Sequence, residues 1–256
     1  MSDNGASRRQ TYGRQLGRPL SPRQKALLAE ALPPLAIRLP DDAAQLRPSG
    51  LFEASSAAAG PLWLEVGFGG GEHLAWQIEA QARLGSDVRF IGAEFFQNGI
   101  VKLLDRLDPE VARQRLRIYR GDAADLLAAL PPSCLDRVFI LFPDPWPKRR
   151  HHKRRFIGAE NLDRLARIMK PGAELRLATD DPDYLTWCLA RLARHPDFAW
   201  TARRPADWRR RPADWPPTRY EQKALKAGRC PGFLRYLRRQ SGPSEGPGAA
   251  AEKPCG

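Results

Sequence analysis

The chain has little of what disulfide-stabilised, metal-binding or membrane-spanning proteins need. Its 256 residues include four cysteines and four histidines. The cysteines, Cys134, Cys188, Cys230 and Cys255, are scattered without a CxxC pair, so neither a disulfide framework nor a metal site is expected. No stretch approaches the ~20 apolar residues of a membrane span. The first twenty residues carry arginines but no apolar segment, so no secretory signal is expected, and a reducing cytoplasm is the natural setting. Acidic residues are also scarce: 29 Asp and Glu stand against 42 Lys and Arg, a formal net charge of +13. Such an excess concerns partners rather than fold. Nucleic acid is the leading candidate, because a membrane surface would require a basic amphipathic helix and none is evident.

A chain of this length can bury a core of its own. Residues 1–40 read as a basic N-terminal extension, its first twenty residues flexible when alone. Residues 41–60 form a polar connection rich in Ala and Ser. The tail 241–256, SGPSEGPGAAAEKPCG, is of low complexity and expected to be disordered. Between them, 61–240, the pattern is regular. Short apolar runs at 62–66, 88–94, 116–119, 137–142 and 174–179 read as strands. Ile100, Leu103, Leu104 and Leu107 fall at helical spacing, as do Leu162, Leu165, Ala166 and Met169, and Tyr184, Leu185, Cys188 and Leu192. Lys170-Pro171-Gly172 marks the end of the second of these helices. Strands alternating with helices predict an α/β fold: a Rossmann-like, doubly wound, mainly parallel sheet in a single domain.

Ligands in such sheets bind beyond the carboxyl ends of the strands. Five of those ends carry Gly67, Glu94, Asp122, Asp144 and Asp180. An acid there is often only a turn former or a helix cap, but four at corresponding places point to a site. Residues 65–71 read EVGFGGG, placing Glu65, Gly67, Gly69 and Gly71 as ExGxGxG between a strand and a helix. Glycines let backbone turn tightly and approach a ligand. A dinucleotide fingerprint would need glycine at 72, where Glu72 stands, and a P-loop would need GK[ST]. An acid before the glycines suits an amine, and Glu94 suits ribose hydroxyls. S-adenosylmethionine combines both groups.

The most unusual stretch is FPDPWPKRRHHKRR, 142–155. Pro143 and Pro145 restrict the backbone around Asp144, and Trp146 offers an aromatic face beside it. Lys148, Arg149, Arg150, Lys153, Arg154 and Arg155 follow, with His151 and His152 among them. The plain alternative is a solvated basic helix start. RPADW occurs twice, at 204–208 and 211–215. This reads as a local duplication in an arginine-rich loop, although aromatics among arginines could also stack on bases.

ExGxGxG, IGAE, GDA, the FPDPW–basic block, ATD and TRYE occur in the order seen in the bacterial tRNA (guanine-N7)-methyltransferases, which residues 60–238 closely resemble. YGRQLGRPLS near the N-terminus is similar to that family too. The resemblance implies that Glu65, Glu94 and Asp122 contact S-adenosylmethionine beside the glycines. It places Asp144 at the reaction centre, bordering the cofactor. Lys148, Asp180, Thr218, Arg219, Tyr220 and Glu221 would hold the substrate nucleotide. Arg149, Arg150, His151, His152, Lys153, Arg154 and Arg155 would meet the RNA backbone of a tRNA methylated in its variable loop. The chain departs from the family at Pro147, often His, and at His152, often Asn. Two rival readings are an amino-methyltransferase acting on adenine, since FPDPW is similar to the D/N-P-P-[YFW] loop of those enzymes, and an RNA-binding protein without catalysis. Monomer and homodimer are both open.

Overall fold

The computed structural model describes residues 17–40, 46–52 and 60–240. The expected disordered tail and most of the expected flexible N-terminus lie outside the described residues. A seven-stranded sheet runs in the order β3-β2-β1-β4-β5-β7-β6. Its strands are β1 (Leu62–Val66), β2 (Arg89–Ala93), β3 (Leu116–Tyr119), β4 (Leu135–Leu141), β5 (Met169–Thr179), β6 (Phe198–Trp200) and β7 (Gly232–Arg238). The first five pair in parallel, while β7 runs antiparallel to both β5 and β6.

Strands β1 to β4 are short and largely apolar because both faces of the sheet are covered. On one face lie α1 (Pro22–Ala31), α2 (Glu72–Arg83), α3 (Gln97–Leu104) and α4 (Pro109–Arg115). Leu74, Ile78, Ile100 and Leu103 from this layer pack with Trp63, Phe90 and Phe139 of the sheet. On the other lie α5 (Ala123–Ala129), α6 (Ala159–Ile168) and α7 (Pro182–Arg194), where Leu126, Leu162, Leu165, Tyr184 and Cys188 meet Leu64, Ile91, Val138 and Ile140. The short α8 (Ala206–Arg209) and α9 (Arg219–Lys226) occupy the return between β6 and β7.

Several elements differ from the sequence reading, among them the unread helices α4, α8 and α9. Helix α1 was not expected, yet Ser21-Pro22-x-Gln24 forms a full capping box with proline in the first turn. Beyond it, Leu35 and Ile37 are buried and Ile37 N donates to Ile118 O at 2.8 Å. Part of the stretch taken as an extension therefore packs on the edge of the domain. Strand β5 starts at Met169, so Lys170-Pro171-Gly172 lies within a strand that shifts register against β4. Strands β6 and β7 were also unread. Antiparallel β7 alternates Leu234 and Tyr236 into one core with Phe233 into the other, a pattern diluted by its arginines. Among the described residues no helix is long and apolar enough to cross a membrane.

The two RPADW copies have unlike places. In the second, Trp215 is 3% exposed and packs on Phe233, Phe139 and His73. Asp214 pairs with Arg176 at 2.7 Å, and Arg211 holds both Glu221 and the Trp215 carbonyl. The first copy lies at the surface, with Trp208 half-buried and Arg204 and Arg209 exposed. Base stacking is thus unavailable to Trp215. Trp215→Ala should lower the unfolding free energy by about 3–5 kcal/mol, as for other buried aromatics, whereas Trp208→Ala should cost clearly less; denaturant titration of both variants is the check.

Candidate active site

The ends of β1 to β4 open onto a cavity of about 900 Å³. Gly67, Gly69, Glu94, Asp122 and Asp144 all line it, so two of the three motif glycines and three of the four strand-end acids meet at one cavity. The fourth acid, Asp180, lies outside the lining, where its Oδ2 accepts from Arg229 Nε at 2.7 Å. The N-terminal segment adds residues that strand-end reasoning could not supply. Arg18, Pro19 and Gln24 stand at the cavity. Gly17 N donates to Asn98 Oδ1 at 2.9 Å, and Asn98 Nδ2 to Arg18 O at 2.8 Å, tying this segment to the start of α3.

Gly67 and Gly69 have φ of +68° and +55°, a region that side chains strain to adopt. A Cβ on Gly69 would meet the Tyr220 ring at 3.2 Å. Gly71 lies outside the lining, at the N-terminus of α2 against Leu103. Glu94 fastens the loop: its Oε2 accepts from Gly69 N at 2.6 Å, and its Oε1 from Phe95 N and Phe96 N, both at 2.8 Å. A carboxylate has roughly four acceptor positions, so capacity remains for a ligand hydroxyl. Burial raises the Glu94 carboxyl above the ordinary range, against the amide hydrogen bonds, which lower it; the Asp144 charge adds to the rise. Asp122 caps α5, accepting from Ala124 N at 2.9 Å, and lines the cavity as well. Glu65 is 3% exposed and is not among the residues lining the cavity; it bonds His73 Nδ1 at 2.7 Å, with Gln77 beyond, and so braces β1 against α2.

Asp144 stands between two residues in left-handed conformations, Phe142 at φ +51° and Trp146 at φ +45°. Such residues cost on the order of 1–3 kcal/mol each and persist where surroundings over-determine them. The following run, Arg149–Arg154, is a 3₁₀ helix, in which side chains three apart eclipse. That period sorts most of the charges. Arg150 and Lys153 are exposed, Lys153 also bordering the cavity; Arg149 is exposed too, at the start of the helix, although it shares the row of His152 and Arg155. His151 and Arg154 turn to Trp146, with the Arg154 guanidinium 5.0 Å from its ring. His152 and Arg155 turn inward to Trp187 and Asp183 of α7. The Arg155 side chain is fully buried, so the expectation that it meets the RNA backbone is corrected. The pKa of His151 is lowered, by desolvation and by Arg154, Arg150 and Lys148.

The TRYE stretch divides likewise. Thr218 is buried and caps α9, accepting from Glu221 N at 3.1 Å, while Glu221 is buried and bound by Arg211. Both secure the helix whose first turn brings Arg219 and Tyr220 to the cavity. The Tyr220 ring stacks on Phe142 at 6.4 Å and 19°. Lys148 is exposed just before the 3₁₀ helix and outside the lining. Phe142 and Asn161, also in the lining, were missed. Phe142 ends an apolar run and carries no polar signal.

A doubly wound sheet whose strand ends gather a glycine turn and acids around one cavity defines a methyltransferase of the Rossmann-like type. A family model described as putative methyltransferase matches residues 59–231. A tRNA (guanine-N(7)-)-methyltransferase of Rhodospirillum rubrum is 47% identical over 96% of this chain and 93% of its own length. The proteins of that name from Granulibacter bethesdensis and Roseobacter denitrificans are 47% and 45% identical, over 89% and 93% of this chain and 94% and 100% of theirs. The chain belongs to the family of tRNA (guanine-N7)-methyltransferases.

Partial desolvation at the cavity mouth raises the Asp144 carboxyl above its ordinary 3.8, although the residue stays exposed. The folded state thus takes up a proton more readily than the unfolded chain, and the ionised group's cost to stability is complete above the folded pKa. Asp144→Asn should therefore leave the unfolding free energy at pH 7 unchanged or raised. Denaturant unfolding decides this; a loss beyond about 0.5 kcal/mol, outside the usual range for a surface change, would mean that the charge is net stabilising.

Proposed function

We propose that the protein transfers a methyl group from S-adenosylmethionine to N7 of a guanine in the variable loop of tRNA, and that it works in the cytoplasm, where that substrate resides. The observation that carries this reading is Asp144, held at the cavity mouth by a constrained loop with outward cations immediately beyond it.

The residues present fit the cofactor. Gly67 and Gly69 leave backbone open to close approach, a Cβ on Gly67 would meet nothing within 4 Å, and Glu94 and Asp122 supply acceptors. These four residues would hold it. It supplies a methyl group made electrophilic by a sulfonium.

Guanine N7 has a free in-plane lone pair and no proton at neutral pH, so no side chain has to act as base. The protein's task is orientation, which can be worth roughly 7–11 kcal/mol. The Tyr220–Phe142 stack offers the base a flat face beside Gly69. The Asp144 carboxylate accepts from the N–H edge of guanine and opposes the positive charge that builds on the ring. Arg149, Arg150 and Lys153 face solvent and attract the phosphates that bring the base in.

Mass spectrometry of tRNA nucleosides after incubation with labelled cofactor tests the reaction: 7-methylguanosine is expected, and N6-methyladenosine would favour the adenine reading. Gly69→Val should abolish cofactor binding in calorimetry; undiminished binding by the folded variant would move the cofactor elsewhere. Asp144→Asn should slow single-turnover methylation by roughly 10²-fold or more while cofactor and tRNA affinities change little. Replacing Arg149, Arg150 and Lys153 with Ala should flatten the log–log salt dependence of tRNA binding by about two to three units, at ~0.7–0.9 per phosphate, with near-normal turnover at saturating tRNA.

A further inference from the structure

Arg155 closes a run of cations, yet its side chain is 0% exposed. A buried guanidinium is costly unless its hydrogen bonds are met; here two of its three nitrogens are met, by the active-site loop and α7, while Nη1 is buried without a hydrogen-bond partner among the described residues. Its Nε donates to the Pro145 carbonyl at 2.8 Å, and its Nη2 donates to Asp183 in the first turn of α7. The guanidinium carbon lies 5.3 Å from the Tyr184 ring and 4.9 Å from that of Trp187. Those two residues also grip the next stretch: Ile157 N donates to the Tyr184 hydroxyl at 3.2 Å, and Trp187 Nε1 donates to the Ile157 carbonyl.

The Pro145 carbonyl belongs to the peptide joining Pro145 to Trp146, whose φ is +45°. Asp144 is one residue before it. A rigid fork that fixes this carbonyl from one end and is itself fixed by Asp183 at the other sets where the Asp144 carboxylate points. We infer that Arg155 is a positioning residue for methyl transfer, acting through the Pro145 carbonyl and Asp183, and that it takes no part in RNA binding. This rests on the proposal that Asp144 acts on the base.

Arg155→Met keeps length and apolar stem but loses the fork. It should lower the single-turnover rate at saturating tRNA by about 10- to 100-fold, the scale of a small misplacement at a reacting centre. The tRNA Kd should stay within about twofold and the salt slope unchanged, since no phosphate contact is lost. Arg155→Lys should recover part of the rate. Hydrogen exchange of the 142–147 segment should quicken in Arg155→Met, a readout independent of activity. Asp183 is 65% exposed, so Asp183→Asn should fold normally, slow the reaction in the same direction, and add nothing to Arg155→Met. If Arg155→Met does not fold, Asp183→Asn decides alone. The inference is overturned by weakened tRNA binding with a flattened salt slope in Arg155→Met, or by a wild-type rate and wild-type exchange in whichever variants fold. A wild-type protein that leaves tRNA guanine unmethylated sinks the functional reading instead, and hydrogen exchange still reports on the clasp.

Discussion

Five residues, Phe142 to Trp146, must hold a backbone shape that both of their aromatic ends disfavour, and three separate parts of the protein meet to hold it. Phe142 N donates to Ala178 O at the end of β5, 2.7 Å away. The Phe142 ring rests against Tyr220 from α9. Trp146 is flanked by His151 and Arg154 of the 3₁₀ helix, and the peptide before it is taken by Arg155. The 3₁₀ helix and Arg155, which caps it, are near in the chain, while Ala178, Tyr220 and the Asp183 that holds Arg155 are not. The loop's conformation is therefore a product of the finished fold, and Asp144 reaches its place only once β5, α7 and α9 have docked.

Much of this was legible from sequence, for reasons that can be located. The parallel strands β1 to β4 are largely buried on both faces and read as mainly apolar runs. Acids and glycines at their ends stand out because strands otherwise exclude them. The methyltransferase family was recognisable from the order of its motifs. Glu65, Arg155, Thr218 and Glu221 share a different history. Each has the residue type that a ligand would want, and each is engaged by the protein itself: Glu65 by His73, Arg155 by Asp183, Thr218 by the first turn of its own helix α9 and Glu221 by Arg211. Residue type does not reveal which way a side chain points. For Arg155 the 3₁₀ period of three gave no clue, since it puts Arg155 in one row with the exposed Arg149. Helix α1 was missed although its cap and proline were in plain view, because the surrounding arginines drew the reading toward disorder.

Net charge likewise tells less about the surface than it first promises. Several arginines are employed inside. Glu174 receives Arg176 at 2.8 Å, Arg137 at 2.9 Å and Arg235 at 2.6 Å, and Arg176 continues to Asp214. Burial alone would raise the Glu174 carboxyl, yet the arginines, Arg176 foremost, hold it below its usual value. This network lies under the segment that leads into α9, so the same residue type that faces solvent at Arg149 and Arg150 also braces the helix carrying Tyr220.

The duplicated pentapeptide shows how position, rather than wording, decides what a sequence is free to become. In 211–215, the arginine, the acid and the tryptophan each have a distinct partner in Glu221, Arg176 and the apolar layer around Phe233. In 204–208, Arg204 and Asp207 bond within their own turn, and only Trp208 leans inward. Drift should erode the first copy quickly and spare the second. Two words now identical would then come to look unrelated, and the surviving one would mark which of the pair the architecture had been reading.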